Sequence, residues 1–466
     1  MSEEDRRADY VTKCLGEYQT MGYENTKNKT FAELEQMALE AGLRLAVKLL
    51  ETRLEGDPRG DPEGSYPCPG CGKPFRIQER AQVREIQTVV GKVGYNRPYA
   101  VCDRCQKTSV PLDEVLGIPP TGSSVGYLQK TCHASVVGRS FEDASQVLLV
   151  QAEISVSPKH VRTLAENEGS RIIQQRGEAV KAFQNGVPTK FSGKPPELIV
   201  VTADGGRVQT RHKTKTERWK EDKIGAVYDA VPAPQPNAPR GEYEGAHALT
   251  KTYVATMDDW EKMGWSLRLE AECRGYLAAR EKLFVSDGAR VIRELRAYHF
   301  PEATFILDWP HAVEHLTACA NAAHGEGSAA ARRWFEKHTD LLWDGKVDRI
   351  INDLQTLSEQ AGPPSEGDSD RSPRRVLHRN AFSYFPNNRD GMKYPEFRAK
   401  GWPIGSGVAE GAVKQFALRV KGSEKFWNID GANEILALCA LYHSEDGRWL
   451  DYWQQRGRPH SASTPP

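Results

Sequence analysis

Three carboxylates have the sequence setting that metal-dependent phosphoryl transfer requires. Asp204 and Asp287 each follow an apolar run and precede a glycine, and Glu410 lies on a predicted helix after the Gly-Ser-Gly turn at 405–407. Two divalent cations about 3.5–4 Å apart need converging oxygen ligands, which gather at the carboxyl ends of strands. We expect these three residues to form one site. The alternatives are plain Asp-Gly turns and, for Glu410, a surface pair with Lys414.

A fourth acid, Asp308, also follows a short apolar run and stands three residues before His311. At a helix start this spacing allows either a helix cap with a hydrogen-bonded histidine or a role at the edge of the active site. Both interpretations stay open from the sequence. We expect the run before Asp287 to pair beside the first strand, and the run before Asp308 to lie one strand, about 4.8 Å, further out. Asp287 is therefore predicted as the second catalytic acid.

Four of the nine cysteines form two CxxC pairs, Cys68 with Cys71 and Cys102 with Cys105. Two such turns at the end of a hairpin can present four thiolates to one Zn²⁺, and four sulfur ligands leave no open position for catalysis. The spacing predicts a structural zinc site. Unrelated cysteines and a redox CxxC are the alternatives, and the odd total argues against a secreted disulfide framework.

Charge is balanced over the whole chain but not along it. The 466 residues contain 63 Lys and Arg and 63 Asp and Glu, and this balance by itself does not favour nucleic acid as a partner. Residues 371–425, however, hold 12 basic and 4 acidic side chains. Within this segment, Lys414 and Lys421 follow Glu410, and we expect them to contact phosphates.

A helical pair lies between 120 and 185. Ser140 begins one predicted helix, and Ser157-Pro158 begins another after a short break. Such a pair is typical of a helix-turn-helix, in which Lys159, His160 and Arg162 would reach DNA. An ordinary helical hairpin is the alternative.

The order of elements from 197 onward indicates the architecture. Three strands, a helix and then strand, helix, strand is the order of an RNase H-like fold, a mixed sheet flanked by helices. The fold class predicted for the whole chain is multidomain α+β. The predicted regions are a helical N-terminus (1–55), a zinc-ribbon-like module (66–108), a helix-turn-helix-like DNA-binding region (120–185), the first part of the catalytic core (197–318), a helical insertion (319–395), the second part of the core (396–445) and a flexible tail (446–466).

Six segments resemble the bacterial insertion-sequence transposases of the ISKra type, within the Mutator-like DDE group. The cysteine pairs and the helical pair fit the same layout, whereas the polar stretch 361–375 departs from it. The resemblance implies that Asp204, Asp287 and Glu410 are the catalytic triad and that Asp308 and His311 match the group's Asp-x-x-His motif. The segments are VTADGGRV (201–208), RWKEDKIGAVYDA (218–230), VSDGARVI (285–292), FPEATFILDWPHAVEHL (300–316), GWPIGSGVAEGAVKQ (401–415) and RVKGSEKFW (419–427).

These observations predict a transposase that cleaves insertion-sequence ends and joins them to target DNA. Its cofactors would be two catalytic Mg²⁺ ions, replaceable by Mn²⁺, and one structural Zn²⁺. Its partners would be terminal inverted repeats, target DNA and further copies of itself, in a homodimer or higher oligomer. The chain has no apolar run that could span a membrane and no signal-peptide core, so we expect a bacterial cytoplasmic, nucleoid-associated protein. A nuclease without strand transfer and a domesticated DNA-binding protein are the alternatives.

Overall fold

The computed structural model describes residues 3–57, 67–68, 70–74, 76–189, 191, 193–211, 214 and 217–458. The segment 56–67 is rich in Gly, Pro and Asp, which predicts a linker, and most of it lies outside the described residues. The chain divides into two compact units, which comprise Met1–Ala165 with Trp449–Pro466, and Glu166–Arg448. Among the described residues, no helix combines the length and the apolar character needed to cross a membrane.

The first unit joins N-terminal helices to a small sheet and a helical segment. The sequence Thr30-Phe31-Ala32-Glu33 has the pattern of a capping box, and the box is present at the start of α3, since each of the two side chains bonds the other residue's backbone N–H. Ser140 caps the helix that follows it, as predicted. The elements are α1 (Glu3–Thr20), α2 (Tyr23–Thr26), α3 (Phe31–Glu55), β1 (Arg76–Thr88), β2 (Gly91–Val101), β3 (Thr108–Ser109), α4 (Pro111–Leu116), α5 (Val125–Val137), α6 (Phe141–Ala152) and the start of α7 (Pro158–Gln184).

The second unit places a mixed sheet among helices. Its helical insertion includes a π-helix at Asn380–Tyr384 and a 3₁₀ helix at Arg389–Met392. The remaining elements of this unit are β4 (Leu198–Gln209), β5 (Trp219–Val231), β6 (His247–Thr256), α8 (Trp260–Cys273), β7 (Glu281–Ser286), α9 (Arg290–His299), β8 (Thr304–Leu307), α10 (Trp309–His324), α11 (Ala329–Trp343), α12 (Val347–Ala361), α13 (Pro373–Arg379), α14 (Phe385–Asn388), α15 (Tyr394–Lys400), α16 (Gly407–Val420) and α17 (Ile429–His443). The last helix is α18 (Arg448–Arg456), which belongs to the first unit apart from Arg448.

The five strands of the larger sheet have the order β6-β5-β4-β7-β8. β4 pairs antiparallel with β5 and parallel with β7, and β8 lies outside β7 in parallel. This arrangement confirms the predicted mixed sheet, the pairing of the 282–286 strand beside the first strand, and the outer place of the 304–307 strand. Side chains alternate between two cores, with Leu198 and Val200 on one face and Ile199 and Val201 on the other.

The first strand of this sheet is longer than the sequence indicates. An apolar run ending at Asp204 suggests that the strand ends there, but β4 continues to Gln209. Gly205 and Gly206 stay extended because they pair with β5 in an unbroken antiparallel ladder. The strand boundary predicted at Asp204 was therefore wrong, and this carboxylate lies within the strand.

Two segments that looked loose in the sequence are ordered. Within the polar stretch 361–375, Asp368 accepts a hydrogen bond from the Ser365 N–H, and Arg375 donates one to the Ser365 carbonyl. The tail was predicted to be flexible from 446, but α18 forms there and leaves Trp453 only 3% exposed. Arg448 begins this helix and bonds the Glu270 carboxylate through both terminal nitrogens. Local sequence patterns do not indicate these contacts.

The turn after α15 depends on a glycine. Gly401 has φ +71°, and a Cβ there would lie 2.3 Å from the Ala233 backbone. Gly401→Ala should therefore lower the free energy of unfolding by more than the roughly 1–2 kcal/mol of a left-handed non-glycine residue. Chemical denaturation measures this. The control is Gly177→Ala in α7, where a Cβ meets nothing within 4 Å, and it should stabilise by roughly 0.5–1 kcal/mol. Equal effects would contradict the prediction.

Candidate active site and cysteine cluster

The four predicted cysteines come together because one hairpin brings their turns to the same end. β1 begins shortly after Cys71, β2 ends directly before Cys102, and Arg76 pairs with Val101. The two CxxC turns are therefore neighbours across the open end of the hairpin.

The two CxxC turns have the same backbone form. The N–H of Gly72 donates to the Cys68 carbonyl, and the N–H of Gln106 donates to the Cys102 carbonyl. Gly72 has φ +71° and Gln106 has φ +58°, so the residue after the second cysteine is left-handed in both turns. The glycine after Cys71 adopts this conformation without steric cost.

The sulfur spacing fits one tetrahedral metal ion. The Cys68 and Cys105 sulfurs are 3.4 Å apart, the Cys71 and Cys102 sulfurs are 3.5 Å apart, and all four lie within 4.8 Å of one another. Zn–S bonds of about 2.3 Å at tetrahedral angles place sulfurs about 3.8 Å apart. The N–H of Cys105 helps lower the pKa of Cys102 to about 6, whereas hydrogen bonds with the other cysteines help raise the pKa of Cys105 to about 11, so the metal-binding thiolate form is favoured at Cys102. The cluster could therefore hold a metal ion such as zinc.

The predicted acids Asp204, Asp287 and Asp308 lie in a row across three parallel strands. Thr202 of β4 pairs with Val285 of β7, so the same register carried two residues further sets Asp204 opposite Asp287. β7 and β8 end in register, which sets Asp308 beside Asp287 on the far side from Asp204. Asp204 is therefore one strand spacing, about 4.8 Å, from Asp287 and two from Asp308.

Asp204 has the electrostatic environment of a cation ligand. Burial raises the pKa of its carboxyl, and the negative charges of Asp287 and Glu410 raise it further. The Gly205 N–H, 2.7 Å from Asp204 Oδ1, and the charge of His311 act in the opposite direction. Like charges that converge in a half-buried place favour either a bound proton or a bound cation.

Asp308 is fully buried and serves as an acceptor for its neighbours. Its carboxylate caps α10 by accepting the His311 N–H at 3.0 Å, and its Oδ2 is 2.5 Å from His311 Nδ1. The two interactions that the sequence left as alternatives to an active-site role are therefore both present. The hydrogen bond to Asp308 raises the pKa of His311 to about 9, so the imidazole is protonated at neutral pH.

Glu410 lies in the first turn of α16, with its side chain 33% exposed. A ligand atom of Glu410, one of His311 and one of Asp308 lie within 4.8 Å of one another, a group that could hold a metal ion. Asp204 and Asp287 are not in that group. The surface pair that the sequence allowed is also present, with Lys414 Nζ 3.6 Å from the Glu410 carboxylate.

The turn before α16 acts through its backbone and not through tight packing. Glycines at 405 and 407 would be expected to allow close packing, but Cβ atoms added there would meet nothing nearer than 3.7 Å. Instead, the Ser406 N–H donates to Asp308 Oδ1 at 2.5 Å, and the Ser406 carbonyl accepts the Glu410 N–H. This turn therefore connects Asp308 to the helix that carries Glu410.

Side chains from the helical insertion brace the loop that carries Asp287. Tyr384 donates its hydroxyl to the Asp287 carbonyl at 3.2 Å, and Asn388 reaches the Gly288 carbonyl at 3.5 Å. Because glycine has no side chain, Gly288 alone would be expected to leave open space beside Asp287. In fact a Cβ there would lie 2.6 Å from Leu307, and its φ of +79° requires glycine. Local patterns did not point to Tyr384 or Asn388, because each is about a hundred residues from the loop it contacts.

A second contact of the insertion surrounds His315. Its ring stacks on Tyr384 with centroids 3.4 Å apart, and its Nδ1 is 2.6 Å from Asn380 Oδ1. Burial lowers the pKa of His315, so this ring is neutral while His311, one turn earlier, is protonated. The insertion therefore packs directly against the helix that follows the acid row.

The basic residues predicted to contact DNA differ in exposure. Lys159 and His160 are exposed at the start of α7, whereas Arg162 is half-buried. Lys414 is largely exposed, and Lys421 Nζ reaches toward Gly206 of β4. These placements do not test DNA contact.

Comparison with known proteins adds no assignment to this geometry. No protein-family model matches the chain, and a search of curated proteins finds no match.

The cysteine cluster predicts a metal-dependent module. Cys71→Ser removes one of four sulfur ligands, so the purified protein should lose its zinc and the segment around β1 and β2 should unfold. Structural zinc contributes on the order of 10 kcal/mol to small modules. Elemental analysis and protease digestion measure the two effects. The control is Cys273→Ser at the exposed end of α8, which should keep one zinc per chain. Wild-type protein purified without zinc loss that contains no zinc would contradict the prediction.

Proposed function

We propose that this protein is a DNA transposase of the DDE type, with an RNase H-like core and the triad Asp204, Asp287 and Glu410. The observation that carries the proposal is the parallel pairing of β4 with β7, whose register sets Asp204 opposite Asp287. α16, which carries Glu410, packs against β4 and β5. The three carboxylates of the proposed triad thus come from two adjacent strands of a mixed sheet and from a helix that packs against that sheet.

The residues present fit divalent cations. The three carboxylates would hold two Mg²⁺ ions, for which Mn²⁺ could substitute, and bound ions of this kind activate water or a 3′-hydroxyl and neutralise charge on phosphate. The raised pKa of Asp204 supports this fit, because burial and the negative charges of Asp287 and Glu410 disfavour an isolated carboxylate there and favour one that binds a cation. The donors are hard oxygen atoms, which Mg²⁺ prefers.

Asp308 and His311 have a positioning role in this proposal. The Asp308 carboxylate already accepts hydrogen bonds from Ser406 and from both the backbone and the ring of His311. It lies two strand spacings from Asp204, so the pair is better placed to orient its neighbours than to share an ion with Asp204. An alternative triad consists of Asp204, Asp308 and Glu410. It is supported by the closeness of Asp308, His311 and Glu410, whose ligand atoms lie within 4.8 Å of one another.

The DNA contacts would come from both units of the chain. Lys159, His160 and Arg162 at the start of α7 would read the terminal inverted repeats in a helix-turn-helix-like arrangement. Lys414 and Lys421 would neutralise phosphates near the triad. The cysteine cluster would hold one structural zinc in a zinc-ribbon-like module. Target DNA and further copies of this chain complete the proposed partners, since two ends must be joined.

The test uses full-length protein, Mg²⁺ and labelled duplexes taken from the DNA that flanks the gene. A transposase should cleave the end and join it to a second duplex. Cleavage without joining would instead indicate a nuclease, and binding without cleavage would indicate a domesticated DNA-binding protein. Failure to bind flanking DNA more tightly than unrelated DNA would contradict the proposal.

Two variants discriminate between the possible second acids. Asp287→Asn should reduce Mg²⁺-dependent cleavage below detection while DNA binding and thermal stability stay unchanged. Asp308→Asn should leave measurable cleavage, reduced roughly 10–100-fold as for residues that orient metal ligands, and should lower thermal stability because it loses a buried acceptor. The matched control is Asp348→Asn on the exposed face of α12, which should cleave like the wild type. If Asp287→Asn cuts and Asp308→Asn does not, the triad is Asp204, Asp308 and Glu410.

A further inference from the structure

One carboxylate near the proposed centre lacks a hydrogen-bond partner. Asp222 on β5 is 0% exposed, and neither of its side-chain oxygens accepts a hydrogen bond from another residue. A buried carboxylate in this state is strongly destabilising unless a positive charge lies close by. We therefore expect a positively charged group that balances the Asp222 carboxylate.

The strand register places Asp222 beside the acid row. Asp222 pairs with Gly206 of β4, and Asp204 pairs with Ile224 of β5. Residues opposite each other on antiparallel strands share a face, so Asp222 and Asp204 lie on the same side of the sheet as diagonal neighbours. The Cα atoms of such neighbours are roughly 7–8 Å apart.

The missing side chain of Gly206 leaves a gap that two charged groups enter. A Cβ at Gly206 would lie 2.5 Å from Asp222 Oδ1 and 2.6 Å from Lys421 Nζ. Any other residue at this position would displace both groups. The Asp222 carboxylate and the Lys421 ammonium therefore both border this gap, although they form no ion pair of 4.0 Å or less.

Of the two lysines near Asp222, Lys421 is the one available to it. Lys223 Nζ already donates to the Glu221 carbonyl at 3.2 Å and lies 5.7 Å above the Trp260 ring. Lys421 directly follows α16, and its charge opposes the rise that burial causes in the pKa of Asp222. Lys421, at the end of the helix that carries Glu410, therefore lies near the buried Asp222 carboxylate.

We propose that Gly206, Asp222 and Lys421 form a phosphate subsite, in which Asp222 is a positioning residue that holds the Lys421 ammonium against a backbone phosphate of the substrate strand. The subsite lies two residues from Asp204 along β4, roughly 6.6 Å. Two nucleotides of one DNA strand span about 6.8 Å of helix axis. The bound phosphate therefore belongs to a nucleotide close to the reacting one. This inference depends on the proposed function.

The experiment measures how the affinity of full-length protein for a fluorescein-labelled duplex of flanking DNA depends on salt concentration, without Mg²⁺. Loss of one phosphate contact should lower the slope of log affinity against log salt by about 0.9. We expect this loss for Lys421→Gln and restoration for Lys421→Arg. The matched control is Lys262→Gln on the exposed side of α8, which should keep the wild-type slope.

Asp222→Asn tests the positioning role. If Asp222 acts through Lys421, this variant should lower the slope by itself but add nothing to Lys421→Gln, because the two residues act as one unit. Gly206→Ala, which fills the gap, should give the same loss. Thermal melting of each variant shows whether it is folded.

The outcomes separate the subsite from the proposed function. A wild-type slope in Lys421→Gln would overturn the subsite, even if wild-type protein cleaves and joins DNA. Additive losses in the double variant, or a lower melting temperature for Asp222→Asn with an unchanged slope, would overturn the positioning role and leave Asp222 purely structural. Wild-type protein that binds no DNA would overturn the proposed function and this inference together. If Asp222→Asn does not fold, the Lys421 variants decide the result.

Discussion

The geometry of the acid row depends on one buried carboxylate, that of Asp308. A fully buried carboxylate is tolerated only when charge-assisted hydrogen bonds replace its hydration. Asp308 obtains these bonds from the Ser406 N–H, the His311 N–H and the His311 ring, while its own N–H donates to Ser286 at the end of β7. Strand β7, helix α10 and the turn before α16 therefore meet at one side chain. The position of Glu410 relative to the sheet follows from that anchor.

The same anchor supplies a positive charge to an otherwise acidic place. Because Asp308 raises the pKa of His311 to about 9, the imidazolium persists at neutral pH, and its charge opposes the rise in the pKa of Asp204 caused by burial and by Asp287 and Glu410. The positive charge of His311, which lies at the edge of the group, therefore offsets part of the repulsion among the carboxylates. Asp308 fixes the geometry of the acid row and also holds the protonated His311. The fold can therefore contain a row of acids, because the positive charge of His311 offsets part of their negative charge.

Local sequence patterns predicted the sheet well and the site less completely. Apolar runs located the strands, and their order predicted the parallel pairing beside Asp287. The patterns failed where tertiary pairing overrides a local signal, since Gly205 and Gly206 look like a turn but continue the ladder of β4. Local patterns also did not indicate a role for Asp222, because its burial depends on the pairing that places Gly206 opposite it. A charged residue just before an apolar run is usually exposed. The sequence around Asp222 therefore does not indicate that its side chain is buried.

The helical insertion has a structural task that its sequence does not reveal. Asn380 and Tyr384 bracket a π-helical turn, in which the Phe385 N–H donates to the Asn380 carbonyl five residues earlier. A π-turn adds one residue relative to an α-helix, which rotates the following side chains by about 100°. Within this turn, Asn380 bonds the His315 ring, and Tyr384 stacks on that ring and donates to the Asp287 carbonyl. The insertion therefore fixes the backbone of the acid row from outside the sheet.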